Sequence, residues 1–230
     1  LVIARGWTAL YIALTACGRL GFDVVGDSGT IGDVAPPGPW QIVQTVAGMN
    51  GSTQIAPTGA GNLVIVAVEY GALTGISDDA VGGSNTYAPV PGTHALDAMG
   101  FNCEIWTAAG VHGGATHLTF TGSNSWQVVW EVSGLSSTVD VAGELSTQPA
   151  GVPVAPALTT TRDGDFLIGI VVFHGAITGI TGPFTLDSKQ NGDGWGHLTA
   201  TNAPAGAYQV TWTGVNDTFG SSAAAFFVGP

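Results

Sequence analysis

The residues whose types and spacing could do chemistry in this chain are tryptophans able to stack, acidic loops able to hold a cation, and histidines. Trp126 and Trp130 share one face of an alternating run with Val128 and Val132, while Gln127, Val129 and Glu131 take the other. Such a face can stack on sugar rings or fill a sandwich core, and the spacing leaves both readings open. Trp195, flanked by Gly194 and Gly196, is expected at an exposed contact. The stretch Asp187 to Gly194 offers the side-chain oxygens of Asp187, Asn191 and Asp193 beside flexible glycines, and Asp78-Asp79 with Asn85 offers a similar set. Calcium is therefore a candidate ligand at either loop. Neither has a full ligand run, and Asp, Asn and Gly are also ordinary turn residues. His94, His112, His117, His174 and His197 show no metal-pair spacing; His112 and His117, five apart, fall on opposite faces of a strand. Cys103 alternates with Phe101 and Ile105 and is expected to be buried, reduced and inert.

Two blocks, Gly26-Asp27-Ser28 and Gly214-Val215-Asn216-Asp217, resemble signature blocks of the Gly-Asp-Ser hydrolases. The resemblance implies Ser28 as nucleophile and the Asn216 side chain as an oxyanion donor. The family's closing Asp-x-x-His has no counterpart, because no histidine follows His197, so the base that would activate the serine is missing. Ser28 also lies in a Pro/Gly-rich stretch rather than after a core strand. The chain reads as non-enzymatic.

That stretch belongs to an N-terminal region read as export machinery. Arg5 precedes a weakly apolar run too short to span a bilayer, which ends in Leu14-Thr15-Ala16-Cys17. The last four residues resemble the bacterial lipobox. This resemblance implies a signal peptide over 1–16, a Cys17 diacylated through its sulfur, and a chain lipid-anchored in the bacterial cell envelope, at the outer membrane or cell surface. Residues 17–39, with Pro36-Pro37-Gly38-Pro39, read as a flexible tether. Four Lys+Arg stand against 16 Asp+Glu, a net charge of −12. Loss of residues 1–16 removes only Arg5 among charged residues, giving 3 − 16 = −13. So few cations exclude a phosphate-neutralising patch, and with it nucleic-acid binding.

The elements that must position these residues are strands. With 36 Gly, 12 Pro and 9% charged residues, the chain lacks what covers the wet face of long helices. Strands are predicted at 41–47, 62–70, 86–90, 101–108, 115–121, 126–133, 138–144, 154–161, 165–174, 183–187, 195–201, 207–213 and 219–228. One element occurs twice: Gly61-Asn62-Leu63 through Tyr70, running into Gly71-Ala72-Leu73-Thr74-Gly75-Ile76, is answered by Gly164-Asp165-Phe166 through His174, running into Gly175-Ala176-Ile177-Thr178-Gly179-Ile180. A second pair follows in the same order, Gly114 to Gly122 and Gly206 to Gly214. The expectation is an all-β antiparallel sandwich over 40–230, built from related halves at about 40–137 and 138–230. Its repeated strands, apolar on both faces, should be central, with their outer faces covered by loops or a partner.

The Gly-Asn-Leu-Val strand, the Asp78 to Tyr87 turn, the Trp-bearing strand and the ending Glu131-Val132-Ser133-Gly134 resemble a β-sandwich module of secreted and surface-attached bacterial proteins. The resemblance implies an extracellular jelly-roll-like domain without assigned chemistry. The expected function is a structural or binding role on the envelope, with membrane contact through the lipid and with polysaccharide or another envelope protein as partner. The alternative is a carbohydrate-binding or adhesion module, with calcium assisting.

Overall fold

The computed structural model describes residues 40–229. The signal peptide, Cys17, the tether and Ser28 lie outside the described residues.

The first run of strands is β1 (Gln41–Met49), β2 (Ser52–Gln54), β3 (Leu63–Asp78), β4 (Ala88–Pro89), β5 (Ala95–Leu96), β6 (Asn102–Ala108) and β7 (His117–Ser133). The second is β8 (Leu135–Gly151), β9 (Leu158–Thr159), β10 (Phe166–Phe173), β11 (Ile177–Thr181), β12 (Phe184–Gln190), β13 (Asp193–Leu198), β14 (Ala207–Tyr208), β15 (Thr211–Gly214) and β16 (Asp217–Val228). No helix occurs among the described residues, and the ladders are antiparallel. The fold is an all-β antiparallel sandwich.

Strands β1 to β7 make one sheet, ordered β1-β2-β7-β3-β6-β4, with β1 also pairing β7 and β5 pairing β6. The facing sheet runs β12-β13-β10-β16-β8. Both repeated strands are therefore central, β3 between β7 and β6, and β10 between β13 and β16. A left-handed glycine opens each, Gly61 at φ +86 and Gly164 at φ +81, a conformation that side-chain-bearing residues rarely adopt.

Alternation then sorts each strand's side chains. Leu63, Ile65 and Ala67 of β3 and Phe166, Ile168, Ile170 and Val172 of β10 enter one shared core between the sheets, with Trp130, Val132, Trp195 and Phe226. The other phase of each strand is buried too. Val64, Val66, Val68 and Tyr70 lie under Ile55, Tyr87, Val111 and Phe120. Leu167, Val171 and Phe173 lie under Leu158, Ile177, Val210 and Trp212, brought there by the two-stranded ribbons β9-β14 and β11-β15. These segments are why the repeated strands can be apolar on both faces; burying each such side chain contributes about 1.5–3 kcal/mol.

Several predicted boundaries shift. The strands expected at 115–121 and 126–133 form one continuous β7, because β3 runs on to Asp78 and pairs with it over its whole length, through bulges near Tyr70 and Leu73. The strand expected at 207–213 divides into β14 and β15, and the one expected at 154–161 contracts to β9 plus a bridge from Val154 to Thr211.

Candidate functional site

Sheet positions next to the end of the shared core define a cavity of ≈ 180 Å³ lined by Glu69, Phe101, Trp126, Val172, Phe173, His174, Asn191 and Asp193. Its parts come from both sheets. Glu69 continues the inward phase of Leu63, Ile65 and Ala67, so β3 delivers a carboxylate where β10, one step past Ile170, delivers Val172. Trp126 does the same for the face of Val128 and Trp130 on β7. Asp193 is placed by the β12-β13 hairpin, in which Gln190 pairs with Asp193 across Asn191 (φ 48) and Gly192 (φ 104). Two left-handed residues, Asn then Gly, are what a tight hairpin asks for. A Cβ on Gly192 would strike the carbonyl oxygens of Phe173 and Gly175, so only glycine lets this turn pack against the end of β10.

His174 is held from behind. Asp97, with a fully buried side chain, accepts the backbone N–H groups of Met99 and Phe101 at 2.8 Å each on Oδ1, and its Oδ2 meets His174 Nε2 in a short contact. The His174 ring lies 6.3 Å from that of Phe101, which is 37% exposed at the rim.

The floor is a carboxyl pair. Asp193 Oδ1 accepts the Phe173 N–H at 2.9 Å. Burial and the neighbouring Glu69 charge push Asp193 well above the usual carboxylate range, and burial raises Glu69 as well, which favours a proton held between the two hydrogen-bonded carboxyls. Glu69 is only 5% exposed, and no N–H or hydroxyl donor reaches its Oε2. Asp165, 2% exposed, likewise lacks a donor at both oxygens, whereas the other buried glutamates are supplied. Glu131, equally buried, accepts from Gln44 Nε2, Gly59 N and Asn62 Nδ2 at 2.6 to 2.7 Å, and Glu104 accepts from the Tyr70 hydroxyl and Trp106 Nε1.

The residues singled out in the sequence are distributed unevenly. Trp126 lines the cavity. Trp130 does not offer a platform: it is fully buried and donates through Nε1 to Asp187 Oδ2 at 3.1 Å. The exposed position expected for Trp195 is corrected, since it is 0% exposed and donates to the Ala67 carbonyl at 3.0 Å across the sandwich. Its flanking glycines clear space for other groups: a Cβ on Gly194 would meet Trp212, and one on Gly196 would meet Ile180 and the Thr185 carbonyl.

The calcium candidates divide in the same way. Asp187 is turned inward at a bulge and holds His197 Nδ1 at 2.8 Å, whereas Asn191 and Asp193 line the cavity. Asp78 and Asp79 are occupied by protein donors. Asp78 accepts from Ala80 N, Asn85 N, Asn85 Nδ2 and the Tyr87 hydroxyl, and these bonds outweigh its burial and hold it below the usual range. Asp79 is held low by the Thr116 hydroxyl and by the His117 and Thr116 N–H groups. Among the described residues, no group of three or more His, Cys, Asp or Glu is arranged to hold a metal. Cys103 is free and buried, as expected; burial raises its thiol to about 12.

Sequence reasoning missed Glu69, Asp97, Phe101 and His174 as a group. A signal was present in the repeat: Glu69 is the one charged side chain from Leu63 to Tyr70, and His174 is an extra residue before the second Gly-Ala. The architecture and site define an acidic, aromatic-walled cleft in a β-sandwich. No family model, curated protein or solved structure matches the chain.

Proposed function

We propose that this chain is a non-enzymatic β-sandwich binding module of the bacterial cell envelope, anchored by lipid on Cys17, that takes carbohydrate in the Glu69–Asp193 cleft. One observation carries the reading: a ≈ 180 Å³ cavity where the rings of Trp126 and Phe101 stand beside carboxyl and imidazole groups. Aromatic faces stack on the C–H faces of a sugar ring, and convergent polar groups take its hydroxyls.

The spacing of the carboxyls supports binding over glycoside hydrolysis. Hydrolytic pairs stand about 5–9.5 Å apart to admit the anomeric carbon or a water, whereas Glu69 and Asp193 hydrogen-bond to each other directly. Descent of the two sheets from one repeated unit is part of the same proposal. It is supported by the matched segments and by strand orders that correspond, β1-β7-β3-β6-β4 against β8-β16-β10-β13-β12.

Retention of the full chain on a polysaccharide panel tests the reading, with and without a chelator to score calcium assistance through Asn191 and Asp193. Trp126→Ala should abolish retention; no retention of the unaltered chain on any polysaccharide would refute it. The anchor has its own test. A fatty-acid probe should label the unaltered chain and not Cys17→Ala, and equal labelling of both would remove the anchor.

A further inference from the structure

The cleft's chemistry is more selective than a neutral sugar requires. Carboxyl groups converge there from separate elements, Glu69 from β3, Asp97 from the turn after β5 and Asp193 from β13, against the single imidazole of His174. The buried thiol of Cys103 adds no positive charge. Of the basic side chains in the described residues, Arg162 lies over the Phe227 ring, 3.9 Å from its centroid, and Lys189 is not among the cavity-lining residues. The independent observation is the Glu69 carboxyl, which lines the cavity from a side chain 5% exposed, receives no N–H or hydroxyl donor at Oε2, and has the equally acidic Asp193 as its hydrogen-bond partner. A buried carboxyl pair with no Lys or Arg beside it is costly to ionise, and a cationic ligand donor relieves that cost. Trp126 and Phe101 supply the aromatic faces that attract an organic cation.

We infer that the cleft recognises a protonated primary amine, and that on a glycan its preferred residue is an amino sugar with a free, unacetylated amine. The inference deepens the carbohydrate reading and rests on it only for the sugar part of the ligand. The ammonium donates to the Glu69 and Asp193 carboxylates while its carbon skeleton lies against Trp126. As it enters, the proton shared by Glu69 and Asp193 leaves to solvent, so both carboxylates are ionised against one cation. Binding then releases protons and tightens as pH rises, until the amine itself loses its charge.

Calorimetric titration of the full chain tests this with glucosamine oligomers, N-acetylglucosamine oligomers, glucose oligomers and hexylamine, in buffers of low and high ionisation enthalpy. The glucosamine oligomer should bind about tenfold more tightly than the acetylated one, the worth of one charge-assisted hydrogen bond. Its heat should depend on the buffer in the sense of proton release, and Glu69→Gln should erase both the preference and the release. Equal affinity for free and acetylated oligomers overturns the amine inference and leaves the carbohydrate reading standing. Hexylamine binding with no oligomer bound sustains amine recognition and overturns the carbohydrate reading. No binding by any of the four overturns both.

Discussion

Strands β3 and β10 share an apolar pattern and hold central places in the two sheets, and they do different things where polar residues enter them. Leu63, Ile65 and Ala67 match Phe166, Ile168 and Ile170 in phase, and all of them fill the core between the sheets. The polar departures sit at the ends. At the start, Asn62 stands where the second copy has Asp165; at the finish, Glu69 stands where it has Val172, and His174 is added. Asp165 and Glu69 each bring a buried carboxyl up against a second carboxyl. Asn62 donates to Glu131 and closes a satisfied network, whereas Asp165 faces Asp140, and its own oxygens find no donor group. Glu69 instead pairs with Asp193 of the facing sheet and opens on a cavity. The lesson is physical: in a strand buried on both faces, the inward positions that resist being apolar are where a structural or functional demand outweighs burial.

The comparison can be broken first at the positions that agree. Ile65→Ala and Ile168→Ala should each cost about 3 kcal/mol in chemical denaturation, because both empty the same closed core. A loss at one and none at the other would show that the sheets do not share it.

The starting departure predicts a pH effect. Burial, then the hydrogen bond and charge of Asp140, raise Asp165 to about 7, opposed by Arg162. A raised folded value means that the stabilisation is fully present below the unfolded carboxyl value of about 3.9 and is lost as pH rises through about 7. Stability should therefore fall from about pH 4 to about pH 7 and level off above. Asp165→Asn, which restores the first copy's residue, should recover about 2 kcal/mol at pH 8 after allowing for solvent screening, and thermal melts across that range would show the flattened profile.

The finishing departure gives the smallest change in stability. Glu69→Val copies the second strand's residue and removes a buried carboxylate, so it should be neutral or raise stability by about 1 kcal/mol at pH 8, while abolishing retention on any ligand of the cleft. A variant that melts lower and still binds would place the site elsewhere.

Much of the framework was legible because β3 and β10 are apolar in both phases, which requires central positions and covered outer faces. The face of Trp126, Val128 and Trp130 was legible from alternation alone. Trp195 was not, because glycines beside a large ring were read as exposure when they make room for Trp212, Ile180 and the backbone at Thr185. The cleft was not legible either. Glu69 and Asp193 are brought together only by the facing of two sheets, and phase along a single strand carries no information about what stands opposite.

The most direct measurement is a carboxyl-carbon NMR titration of Glu69 and Asp193 in the full chain. Coupled curves are expected, with Asp193 keeping its proton well above the ordinary range of about 3.9 to 4.3 and losing its anomaly in Glu69→Gln. Independent titration of both groups at ordinary values would contradict a shared proton at the floor of the cleft.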